Sequence, residues 1–77
     1  MTDIRRKNMK LSARNLLKGV VKQIKHGAVN SEVIIELPGG IEVVSIITKT
    51  SAEAMGLAIG VEAYAVIKAT NVMVAVD

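Results

Sequence analysis

Cysteine, tryptophan and phenylalanine are absent from the 77 residues, and tyrosine and histidine occur once each, as Tyr64 and His26. Without thiols there is no disulfide framework and no thiolate metal site, and one histidine cannot build a zinc site by itself. No stretch approaches the roughly 20 consecutive apolar residues of a membrane helix. The amino end, Met1 to Asn8, starts basic but has no apolar run behind it, which is not the pattern of a signal peptide. A reducing cytoplasm is the expected location. Acidic residues are also missing over a long interval, from Asp3 to Glu32.

What is present is aliphatic. The chain is 51% hydrophobic with a mean hydropathy of +0.42, supplied by Val, Ile, Ala, Leu and Met. A lone domain of this length buries only a modest fraction of its surface. So much aliphatic surface predicts that part of it is covered by other subunits, and a homo-oligomer is expected. The formal charge of +3 is concentrated at the start. Residues 1–8 hold three basic groups against one acidic; the other residues hold seven against six. The body is therefore nearly neutral, and residues 1–8 read as a basic, flexible extension with no binding role.

Patterning predicts mostly strands. Leu16 to Lys25 carries β-branched Val20, Val21 and Ile24, with a bend or bulge expected at Gly19. His26-Gly27 reads as a turn. Glu32 to Leu37 sets Val33, Ile35 and Leu37 against Glu32, Ile34 and Glu36, as in a half-buried strand. Pro38-Gly39-Gly40 reverses the chain into a third strand, Ile41 to Thr48. Thr50-Ser51-Ala52-Glu53 fits a capping box, with Thr50 as the cap, ahead of a short helix that Gly56 stops. A fourth strand is expected from Val61 to Ala69 and a fifth from Val72 to Val76, after a break at Asn71. The expected fold is mainly β, a five-stranded OB-like barrel with one short helix between strands 3 and 4.

The most informative polar stretch is Leu11-Ser12-Ala13-Arg14-Asn15-Leu16-Leu17-Lys18-Gly19. Ser12 offers a hydroxyl, Arg14 a fixed cation with five donors, and Asn15 an amide, so the segment can grip an anion. The same residues could equally begin a strand with a solvated arginine. Lys68 is the only charge between Glu62 and Asp77, on a strand of small aliphatics, and needs either a route to solvent or an anion partner. Thr48 and Ser51 are compatible with a helix start, and His26 with a solvent-facing turn. Catalysis finds little: no supported Ser-His-Asp spacing, no carboxylate pair, and no phosphate-binding glycine loop. The chain is not expected to be an enzyme.

With Gly27-Ala28-Val29-Asn30, Ile47-Thr48-Lys49-Thr50-Ser51, Leu57-Ala58-Ile59-Gly60 and Val66-Ile67-Lys68-Ala69-Thr70, the opening cluster resembles the molbindins, small molybdate-binding proteins built from one Mop (TOBE-like) domain. The resemblance runs from Met9 to Asp77, so residues 9–77 would be the Mop domain. It implies an oxyanion site using Ser12, the Ala13 N–H, Arg14, Thr48, Ser51, Lys68 and the Ala69 backbone. A second oxyanion site on a symmetry axis would use the Val29 N–H and Asn30. It also implies a homohexamer arranged as a trimer of dimers. The bound species would be molybdate or tungstate, with no organic cofactor and no metal ligated directly by side chains.

Molybdate at neutral pH is a tetrahedral dianion with four acceptor oxygens and no proton, so its site should hold donors and positive charge only. Phosphate, partly protonated, is disfavoured there by an unmatched proton, and sulfate only by its smaller size. Buried charge-assisted bonds of this kind are worth roughly 1.5–3 kcal/mol each. Storage or buffering of the oxyanion in the cytoplasm is therefore the expected function. Two other classes stay open: a nucleic-acid-binding OB module, which should carry stacking aromatics but has only Tyr64, and a regulatory or accessory oxyanion-sensing subunit. Neither nucleic acid nor membrane is an expected partner.

Overall fold

The computed structural model describes residues 12–77, so the basic extension expected over residues 1–8 lies outside the described residues. Four antiparallel strands form one sheet in the order β3-β2-β1-β4: β1, Asn15–His26; β2, Asn30–Glu36; β3, Glu42–Thr48; and β4, Glu62–Ile67. Among the described residues one helix, α1, Lys49–Ala54, joins β3 to β4, and a single 3-10 turn, Ala69–Asn71, follows β4. Strand β1 is long enough to serve two neighbours. Its first half pairs with β4, from Asn15 opposite Ile67 to Val20 opposite Glu62. Its second half pairs with β2, from Val20 opposite Glu36 to His26 opposite Ser31.

The expected fifth strand is the main correction. Residues 72–77 carry no strand assignment and join no ladder, so among the described residues the sheet has four strands, with β3 and β4 at its edges. Val72 is extended, with φ −89° and ψ 122°, as its β-branched sequence favours, but a strand also needs a neighbour to bond. Strand β4 also ends at Ile67, because the Asn71 N–H donates to the Lys68 carbonyl at 2.8 Å and turns the chain there.

Two smaller expectations move by a few residues. The helix is capped by Thr48, not Thr50. Thr48 keeps extended backbone angles and its Oγ1 accepts from the Ser51 N–H at 3.0 Å, whereas Thr50 already lies inside the first turn. The stop at Gly56 holds, with φ +66° and its N–H donated to the Glu53 carbonyl at 3.0 Å. The irregularity in β1 falls between Val21 and Gln23, at Lys22, not at Gly19. Gly19 has a different task. A Cβ there would lie 2.5 Å from the Glu36 carbonyl oxygen and 2.7 Å from Ile35 Cγ2, so its missing side chain lets β1 lie close against β2.

The buried cluster is small: Val21, Val33, Ile35 and Ala65, with Ile24, Leu37, Val43, Ile47, Leu57 and Ala63 packed around it. Ala52 of α1 is buried as well. The alternation read for β2 holds, with Val33 and Ile35 inward. Much of the aliphatic excess lies outside: Val44 and Ile46 on β3 are exposed, and Met73, Val74 and Val76 are 93%, 90% and 91% exposed.

Candidate functional site

The register decides which of the expected ligands can meet. Asn15 stands opposite Ile67 at the start of β1, so the next antiparallel positions outward are Arg14 and Lys68. Fifty-four positions apart in sequence, the two cations flank the same end of the sheet. Both are exposed, and among the described residues neither joins an ion pair. Ser12, two positions before Arg14, is exposed and Ala13 half-buried. Lys68, at φ −65° and ψ 135°, leads into the 3-10 turn that Ala69 opens, and both backbone units stand at the surface. The nearest charged pair along the strands, Lys18 with Glu62 at 3.5 Å, is already internally neutralised. This end of the sheet therefore presents hydroxyl, guanidinium, ammonium and backbone N–H groups, the donor set a proton-free dianion requires.

The other expected ligands gather at the opposite end of β1. Asn30 pairs with Thr48 across β2 and β3, and the Lys49 N–H donates to the Val29 carbonyl at 2.7 Å, fastening the start of α1 to the β1–β2 turn. Val29, Asn30, Thr48 and Ser51 thus share one neighbourhood. Thr48 Oγ1 donates to Ser51 Oγ at 2.8 Å while accepting the Ser51 N–H. In that arrangement the Thr48 proton is already used, and Ser51 holds the hydroxyl proton left for an anion.

One chain therefore brings together Ser12, Ala13, Arg14, Lys68 and Ala69, and separately Val29, Asn30, Thr48 and Ser51. It does not join the two groups. The 12-residue β1 lies between them, about 35–40 Å of strand contour at the usual rise per residue.

Sequence reasoning missed one bonded pair at the second end. Ser31 is 1% exposed, and its Oγ lies 2.6 Å from His26 Nδ1. The signal was available in the turn: once His26-Gly27 closes a hairpin, His26 and Ser31 fall opposite each other. The charge cluster at Lys22 was also missed. Glu36 and Glu42 stand directly opposite across β2 and β3, and Lys22 bridges them, donating to Glu42 and lying 3.8 Å from Glu36. The hydrogen bond and charge of Glu42, then the charge of Glu36, raise the Lys22 pKa above its ordinary value. Among the described residues no group of three or more His, Cys, Asp or Glu side chains could hold a metal ion. No helix there is long and apolar enough to cross a membrane.

Fold and donor set together define a small antiparallel β domain that offers oxyanion-type donors at the ends of its sheet. The chain belongs to the TOBE domain family, which matches residues 11–74. It is 48% identical over 69 residues to the "Probable molybdenum-pterin-binding protein" of Haemophilus influenzae, covering 90% of this chain and 100% of that one. Among solved structures it is similar to MopII from Clostridium pasteurianum, with a TM-score of 0.82 and 45% identity, covering 87% of this chain and 100% of the other. It is also similar to the cytoplasmic molybdate-binding protein ModG with molybdate bound. There the TM-score is 0.83 and the identity 51%, over 95% of this chain and 50% of ModG. Two of these relatives carry the names of binding proteins, and the resemblance to single-domain Mop proteins read from the sequence is correct.

Proposed function

We propose that this chain binds molybdate, and tungstate with it, as an intact oxyanion, and that it stores and buffers the ion in the cytoplasm for molybdenum cofactor synthesis without catalysing a reaction. The observation that carries this reading is the register that sets Arg14 beside Lys68, two cations without carboxylate partners among the described residues. A relative of the same fold, 51% identical, holds molybdate and is described as cytoplasmic.

The site is proposed to form between copies. Ser12, the Ala13 N–H, Arg14, Lys68 and the Ala69 backbone come from one chain, and Thr48 and Ser51 from another, because β1 separates the two groups within a chain. The assembly is a homohexamer, a trimer of dimers. Support comes from the apolar residues of β3 and of residues 72–76 that stand exposed among the described residues. A second oxyanion site uses the Val29 N–H and Asn30 where turns meet on a symmetry axis.

Calorimetric titration with molybdate, tungstate, sulfate, phosphate and a free pterin tests the reading. Sub-micromolar binding, about −8 kcal/mol or better, is expected for molybdate and tungstate alone. Equal affinity for sulfate, or heat only with the pterin, contradicts it. The nucleic-acid reading instead requires salt-dependent binding to single strands, and Tyr64, the only aromatic, is half-buried.

A further inference from the structure

We draw no further inference here: the strongest candidate, the apolar groove lined by Val33 and Ile35 of β2, Ile47 of β3, Leu57, and Ala63 and Tyr64 of β4, fits an extended segment of a second copy, and assembly between copies restates an established property of the TOBE family.

Discussion

Arg14 and Lys68 illustrate what a residue can and cannot reveal alone. Each is a lone cation whose ordinary fate is hydration, and only the register of β1 against β4 puts them at one place. Both are exposed in the single chain, so replacing either should leave folding intact while removing half of the positive charge offered to a dianion. Arg14→Ala and Lys68→Ala should each weaken molybdate by about 2–4 kcal/mol, with the double variant losing less than the sum because the two share one ligand. Arg14→Lys should also lose substantially, since an ammonium cannot reproduce the guanidinium fork. Calorimetry on variants of confirmed oligomeric state measures all of this, and parental binding by Lys68→Ala would make Lys68 an ordinary solvated lysine. Gly19 belongs to the same scale with the opposite outcome. Gly19→Ala should destabilise the fold by about 1–3 kcal/mol through overpacking against the Glu36 carbonyl 2.5 Å away, read as a lowered denaturation midpoint.

At the scale of elements, β2 was legible because Val33 and Ile35 alternate with Glu32, Ile34 and Glu36, and burial follows that alternation. The helix was legible in existence but not in its first residue, since Thr48 and Thr50 are both good caps and only backbone angles separate them. Thr48→Ala should therefore cost about 1 kcal/mol of stability and Thr50→Ala much less. The bulge at Lys22 had no legible signal, because glycine is the usual marker and the bulged residue here is a lysine. Its side chain sits over two opposed glutamates, a pairing that is unfavourable without it. The sign of its pH effect follows from the raised pKa. The stabilisation is fully present below the unfolded-state value near 10.5 and is lost as pH rises through the higher folded value. Lys22→Met should thus lower the melting temperature at neutral pH and remove a component of alkaline destabilisation. Adding Glu42→Gln should restore part of the loss, and a Lys22→Met variant that melts like the parent would show that solvent screening cancels the cluster.

The whole molecule explains why a five-stranded barrel was expected and four strands were found. Val72 to Val76 is strand-forming by composition, but composition does not say which chain supplies the neighbour, and in its own chain the segment joins no ladder. The same limit applies to the site: its residue types were legible, but their division between the two ends of β1 was not, because it depends on a strand long enough to serve two partners. The aliphatic excess predicts assembly. Val74, 90% exposed in the single chain, should tolerate Val74→Lys if the chain stays alone. In an assembly that covers it, the same change should forfeit about 1.5–3 kcal/mol of burial per copy and lower the mass measured by light scattering from near six chains toward smaller species.

The central claim is that an oxyanion site needs the Arg14–Lys68 end of one copy and the Thr48–Ser51 end of another, and mixed assemblies test it most directly. Chains carrying Arg14→Ala and chains carrying Ser51→Ala should each bind molybdate poorly when assembled alone. Co-expressed as mixed assemblies, they should regain parental affinity at about a quarter of the sites, the share in which random mixing brings two intact halves together across an interface. A mixture that binds no better than its weaker-binding components, with mixed assembly confirmed by mass, would contradict a site shared between copies.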